Sequence, residues 1–379
     1  MRFRYLPFVL VAIGACDHAA PPGAPDTGSG PLPGTGTPAQ LTYNPGQDHA
    51  PTWLPDGSGI LYSSERFDRA DHDRCLAELP PLGGQIRGFI CHDTPSAADS
   101  LDAFESPAVA ADGRLALVEA TSPVGLGGNA PTRQALLLGS LAQPAGMAVL
   151  QWIPYTSPSG KGTEGVSHLA WLADGSLVYV GDRVTYAPVC DVCSALDTLR
   201  TGLELMRVSW TGGQPVFESL AGTDGASSVA ASGGDTIYFT VNGDARVFRR
   251  PLSGGADVVV HDFGVEFARD VAVVGRRLIA VVGGMVYYTV DSTLGPSQRD
   301  YGGDLHVVNL ASGADSVLGN ADPSRSIWFR RPALSPDGRL LVAEGRPYTL
   351  IRHVDEAGNL LYTDTIIAPA ANLYEYRLP

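Results

Sequence analysis

The chain has 379 residues, with 26 Lys and Arg against 40 Asp and Glu, a formal charge of −14 and only 17% charged residues. That acidity, with lysine nearly absent, argues against nucleic acid or an anionic membrane surface as partner, since both reward basic patches. The 45 glycines and 29 prolines follow from a chain with many turns.

Taken in chain order, Arg2 and Arg4 come first, followed by an apolar run, Tyr5 to Ala12, too short to span a bilayer. Ile13-Gly14-Ala15-Cys16 ends it and resembles a bacterial lipobox. The resemblance implies that residues 1–15 are a signal peptide, removed before Cys16, and that the Cys16 thiol is acylated. The bland alternative is an ordinary signal peptide that contains a cysteine. Residues 16–39 are dominated by Pro, Gly, Ala, Ser and Thr and cannot pack a core, so they read as a flexible tether. Acyl chains on such a tether hold a body near a membrane. The expected location is therefore the cell envelope: the periplasmic face of the inner or outer membrane, or the cell surface. Asp17 favours the inner membrane in enteric bacteria, a rule that does not extend to all bacteria, so the choice of membrane stays open.

From residue 40 onward the chain repeats itself. Pro51-Thr-Trp-Leu-Pro-Asp-Gly-Ser-Gly-Ile-Leu-Tyr-Ser63 is followed by copies that begin at Pro107, Leu169, Val229, Val271 and Pro332. Each copy is two short apolar runs joined by Asp-Gly or a relative, a strong signal for a β-hairpin. A second pair of runs with a Gly-rich turn follows most copies, as in residues 203–217, 246–260 and 304–318. The unit is therefore a four-stranded antiparallel meander, and six such units predict an all-β, six-bladed β-propeller over residues 40–379, six blades fitting better than seven. The copies are longer than typical propeller units. The excess lies between second and third strands, at residues 65–74, 121–133, 182–201 and 291–303, and reads as long loops on one rim. The run Asn372 to Leu378 looks like a third strand without a fourth. Gln40 to Asn44 looks like a fourth strand without a third. Their pairing would close the ring and remove the free edges.

Four cysteines remain beside Cys16. Cys75 and Cys91 lie symmetrically about a turn at residues 82–84, and Cys190 and Cys193 share the loop of the third unit. In an oxidising compartment each pair is expected to form a disulfide. The alternative for Cys190-Asp-Val-Cys193, a redox or zinc motif, has neither a second pair at metal spacing nor a thioredoxin-like context. His72 and His92 could add ligands near the first pair, but loop histidines usually carry none.

Leu41-Thr42, a spacer, and then Pro51-x-Trp53-x-Pro55-Asp56-Gly57 resembles the propeller repeats of TolB-like periplasmic proteins, as does Pro332 to Gly338. The resemblance covers most of residues 40–379 and implies the fold strongly and function weakly, because this propeller serves receptors, scaffolds and gating domains alike. TolB carries a further α/β domain ahead of its propeller, and the stretch before Gln40 is too short for one, so a Tol-system role is not expected to transfer.

Catalytic motifs are lacking. The chain has no Gly-x-Ser-x-Gly, no His-Glu-x-x-His and no phosphate-cradling loop, and a peptidase gated by this propeller would need a hydrolase domain beyond Pro379. The acidic run Asp68-Arg-Ala-Asp71-His-Asp73 lacks the spacing and glycine of a calcium loop. Functional groups should instead converge at the axial mouth, just ahead of each first strand. Those positions hold Asp48-His49, Phe104-Glu105, Ser167-His168, Ser227-Ser228, Arg269-Asp270 and Arg330-Arg331. His49, Glu105, His168, Arg269, Asp270, Arg330 and Arg331 are accordingly the candidate binding residues, suited to an acidic or polar group. The competing reading makes them exposed turn residues, salt-bridged around a water-filled funnel. A metal on His49 and His168 lacks a third histidine, so neither metal nor cofactor is expected. Trp53 and Trp171 recur at one place in their units and are expected to pack between blades. The sequence thus points to a non-enzymatic binding or scaffold module for a protein or envelope component. The alternative is a lyase or hydrolase acting at the axial mouth.

Overall fold

The computed structural model describes residues 37–44, 46–65, 74–91, 100–123, 133–156, 161–188, 196–264, 266–288, 298–318, 326–368 and 370–379. The expected signal peptide and almost all of the tether fall outside that set. So do Cys16, Cys190, Cys193, His72, His92 and the acidic run at 68–73.

The described chain is all-β, with six four-stranded antiparallel blades forming a six-bladed propeller. Blade 1 comprises Asp48–Trp53, Ile60–Ser64, Cys75–Leu79 and Arg87–Ile90. Blades 2, 3, 4 and 5 begin at Ser100, Lys161, Ala226 and Phe267. Blade 6 takes its first three strands from Ser326–Leu334, Leu340–Val354 and Asn372–Arg377, and its fourth from Ala39–Gln40. Ala39 pairs with Glu375 and Gln40 with Tyr374, so the two ends of the propeller share one sheet.

The Asp-Gly turns form as their chemistry dictates. Gly57 and Gly338 take φ of +73° and +70°, which other residues adopt at a cost. The preceding aspartate accepts the backbone N–H two residues on: Asp56 from Ser58 at 2.9 Å, Asp174 from Ser176 at 2.8 Å and Asp337 from Arg339 at 3.0 Å. Between turns, both faces of each inner strand are apolar, because each blade packs on two neighbours. The cores therefore sit between blades. Leu61, Phe104 and Leu117 join blades 1 and 2, while Trp53, Tyr62, Val342 and Leu373 join blades 6 and 1. The recurring tryptophans pin these seams: Trp53 Nε1 donates to the Ala333 carbonyl at 3.1 Å and Trp171 Nε1 to that of Ala108 at 3.0 Å. Cys75 and Cys91 form the expected disulfide across the outer strands of blade 1.

The expected long loops are in part strands. The second and third strands of blade 3, Leu177–Pro188 and Leu196–Thr211, stay paired far above the rim. Met285–Tyr288 and Gln298–Tyr301 form an added hairpin in blade 5. In blade 6, Leu360–Ile367 folds back on the upper half of Leu340–Val354, an extension the loop reading left unmarked. Alternating β-branched and aromatic residues, as in Arg183-Val-Thr-Tyr and Arg346-Pro-Tyr-Thr-Leu-Ile, let these insertions keep pairing where no blade covers them.

Glu375 sits in the closing seam with none of its surface exposed. Burial pushes its carboxyl up to about 7, against the Leu82 backbone N–H and the Arg377 charge. The folded protein thus holds a proton that the unfolded chain releases near pH 4.5, so this group's penalty grows as pH rises from about 4.5 through 7. Glu375→Gln should therefore gain stability over the parent between pH 5 and 8, by about 3 kcal/mol at the upper end. Urea unfolding of both proteins across that range checks this; a constant difference would show that Glu375 does not titrate there.

Candidate functional site

Every blade interrupts its first strand at one level. The pairing with the second strand slips between His49 and Thr52, Glu105 and Ala108, Ser167 and Ala170, Ala226 and Ser228, Ala268 and Val271, and Arg330 and Ala333. Such bulges re-aim side chains and are common beside functional sites. In four of them a non-glycine residue is left-handed: Ala50, Ser106, His168 and Arg331, with φ of 51°, 49°, 51° and 45°. Each costs of order 1 kcal/mol and persists only where the surroundings impose it. The six bulges form one layer across the axis.

The layer is held together by its own charges. His168 Nε2 lies 3.0 Å from Asp270 Oδ1, across the axis from blade 3 to blade 5, while its Nδ1 meets Ser167 Oγ at 2.9 Å. Asp270 Oδ2 accepts the Arg331 backbone N–H at 2.8 Å, tying in blade 6. Arg74 binds Glu105 at 2.6 Å and Glu65 at 3.0 Å, and Arg330 pairs with Glu344, its cross-strand neighbour. His49 and Glu344 are 9% and 1% exposed.

These surroundings fix ionisation. Burial raises Glu344 and Asp270 when taken alone. Arg330 and Arg331 overcome it at Glu344, and His168 with Arg331 at Asp270, so that both carboxyls are held at about 2. Glu105 is likewise drawn down, against burial, by His49, Arg74 and Arg331. Burial lowers His49 to about 3, with Glu344 opposing and Arg74 and Arg331 assisting, so its imidazole is neutral.

Beneath the layer a cavity of about 200 Å³ runs along the first strands towards Val274 and Leu334, near the Asp-Gly turns. Pro51, Pro107, Leu169, Val229 and Pro332 are among its walls, and His168, Asp270 and Arg331 lie at its polar end.

Five of the expected ring residues thus converge: His49, Glu105, His168, Asp270 and Arg331. Arg269 and Arg330 do not present themselves to the mouth. Arg269 donates to Asn242 Oδ1 at 2.7 Å and stacks on Phe267, because the neighbouring blade offers an acceptor and its own strand an aromatic face. Arg330 is turned along its own sheet by the buried Glu344. The picture of exposed residues around an open funnel gives way to a largely buried, cross-linked layer. Arg74, Glu65 and Glu344 belong to it and were missed. The signal for Glu344 was a carboxylate inside the apolar run Leu341-Val-Ala-Glu344, which must find a cation when both faces are covered. Among the described residues, no group of three or more His, Cys, Asp or Glu is arranged to hold a metal ion.

No family model matches the chain, and no curated protein matches it in sequence. Solved structures do resemble it. A calcium-binding regucalcin of Agrobacterium tumefaciens aligns with a TM-score of 0.51 at 14% identity, over 90% of this chain and 93% of its own. A protein described as a gluconolactonase aligns at 0.50 and 13%, over 90% and 92%. A TolB protein of Agrobacterium tumefaciens aligns at 0.47 and 16%, over 89% and 93%. At such identities the likeness is one of fold: the chain is a six-bladed β-propeller.

His49 gives the layer a signature in solution. Its folded pKa lies below its unfolded one, so the neutral side chain costs nothing above pH 6.5. As pH falls towards 3, the unfolded chain takes up a proton that the fold refuses, and stability is lost. Relative to the parent, His49→Gln should gain about 4 kcal/mol between pH 6.5 and 3. Denaturant midpoints measured in parallel over that range check this, and parallel curves for the two proteins would contradict it.

Proposed function

We propose that the protein is a cell-envelope lipoprotein, anchored through acylated Cys16 and a flexible tether, whose propeller is a non-enzymatic binding module. Its partner is a protein or an envelope component, not nucleic acid, taken at the axis. What carries the binding reading is the fixed ionisation of the axial layer. A general acid or base works best with a pKa near the operating pH. Glu344 and Asp270 are held at about 2 and His49 at about 3, far from that. Groups locked in one state suit recognition, and the cavity offers a polar end at His168, Asp270 and Arg331 with apolar walls. The chain's acidity and near-lack of lysine support a partner other than nucleic acid.

One observation favours the second reading, a lyase or hydrolase at the axial mouth. His168 faces the cavity and is oriented by Asp270, as a general base would be. The remaining carboxylates of the layer are engaged with Arg74 and Arg330, which leaves that histidine without a second acid to work with.

Two measurements test the proposal. Cells fed an alkyne-tagged palmitate should label the full chain, and Cys16→Ala should abolish both labelling and membrane recovery; labelling that survives would remove the anchor. Partners captured by cross-linking should be lost on combining His168→Ala with Arg331→Ala, in protein shown by circular dichroism to be folded. Unchanged capture would move the binding site off the axis.

A further inference from the structure

We infer a second binding surface on the rim of the added hairpins, between blades 5 and 6, which takes a protein segment carrying a basic side chain among apolar ones. It stands independently of the axial reading and goes beyond it.

Leu350, Ile351, Val354, Leu360 and Leu361, 39% to 62% exposed, all belong to the single hairpin of blade 6. Most other exposed large apolar residues among those described lie on outer strands, one or two to a strand. Leu350 and Val354, four apart on one strand, share a face with Leu360, the partner of Val354, and an exposed apolar stripe of this kind marks an interaction site. The hairpin that carries it is well built. Val354 pairs with Leu360, and the Asp355 side chain accepts the Ala357 and Asn359 amides at 2.9 and 2.8 Å to close the turn.

At the hairpin's foot lies a cavity of about 270 Å³, lined in part by Glu266, Asp304, Trp328 and Tyr348. Its walls include backbone kept bare of side chains: a Cβ on Gly302 would meet the Trp328 indole at 2.3 Å, and one on Gly303 the Val282 carbonyl at 2.0 Å. Glu266 and Asp304 share this small space, and among the described residues no arginine or lysine pairs with either. Partial burial raises the Asp304 carboxyl, with the His306 charge opposing and the Glu266 charge adding to the rise. Two carboxylates to which, among the described residues, no arginine or lysine is bound, with His306 near Asp304, lie at the foot of an apolar hairpin and are complementary to a lysine or arginine flanked by apolar side chains. An anionic membrane fits poorly, because the same two carboxylates, with Asp355 and Glu356 at the hairpin's turn, would be repelled by it.

The test uses the full chain and a fluorescein-labelled nonapeptide with one arginine between leucines in a Ser/Gly background, followed by anisotropy at low salt. The parent should bind it, and the peptide with glutamate in place of arginine should bind at least tenfold more weakly. Glu266→Gln with Asp304→Asn should lose at least tenfold, as should Leu360→Ser with Leu361→Ser. Glu218→Gln with Asp257→Asn, which removes equal charge elsewhere, should not. His168→Ala with Arg331→Ala should also bind normally, which separates this site from the axial one. Equal binding by the Glu266 and Asp304 variant, or an equal loss in the charge control, would overturn the inference. So would sedimentation with phosphatidylcholine–phosphatidylglycerol vesicles that depends on Leu360 and Leu361, in the absence of peptide binding.

Discussion

A propeller holds its shape only if its last blade meets its first, and here they meet through a strand of two residues and the side chains packed about it. Ala39–Gln40 lies along Asn372–Arg377, and Leu41 donates its amide to the Leu373 carbonyl at 2.8 Å. The join is clasped by two buried side chains. Thr42 Oγ1 accepts from the Leu373 amide at 2.9 Å, and Asn372 Oδ1 accepts from the Asn44 amide at 2.9 Å. The partners lie 331 and 328 residues apart. Closing a loop of that length costs about 5 kcal/mol of chain entropy. Burying Leu41, Leu373, Trp53 and Tyr62 in the same seam returns roughly 1.5–3 kcal/mol each, so side-chain packing, not the short ladder, decides closure. A closed ring also hides the sheet edges that would otherwise recruit other chains.

Closure fixes the radius, and the radius dictates what can occupy the axis. Six first strands converge with bulges at one level, and the residues they carry are close enough to bond from blade to blade. His168 reaches Asp270 from blade 3 to blade 5, and Arg74 reaches Glu105 from blade 1 to blade 2. Strain in the left-handed residues, burial of charge and depressed carboxylate pKa values all appear in this one layer. Perturbation concentrated in this way is characteristic of functional sites.

Most of the fold was legible because its signals are local and repeated. Asp-Gly turns, two apolar runs and a recurring tryptophan define a blade without knowledge of its neighbours, and the incomplete strands at the two ends announced the join. The disulfide of Cys75 and Cys91 could be read from symmetry about one turn. The axial positions were legible as places but not as contacts. Whether Arg269 points inward depends on Asn242 of the neighbouring blade and on Phe267 two residues before it, and Arg330 is diverted by Glu344 across its own sheet. Nothing in the local pattern ranks those competing partners. The hairpin of blade 6 escaped for a different reason: the repeat has no place for a further pair of strands at that point.

Hydrogen exchange at the join tests the closed ring, on which the rest stands, most directly. Peptides covering residues 37–44 and 372–377 should be protected to the same degree and should lose protection together as urea is added, because neither strand is paired without the other. Rapid exchange in 37–44 while 372–377 stays protected would mean that the ring is open at the seam. The axial layer described here would then lack the constraint that forms it.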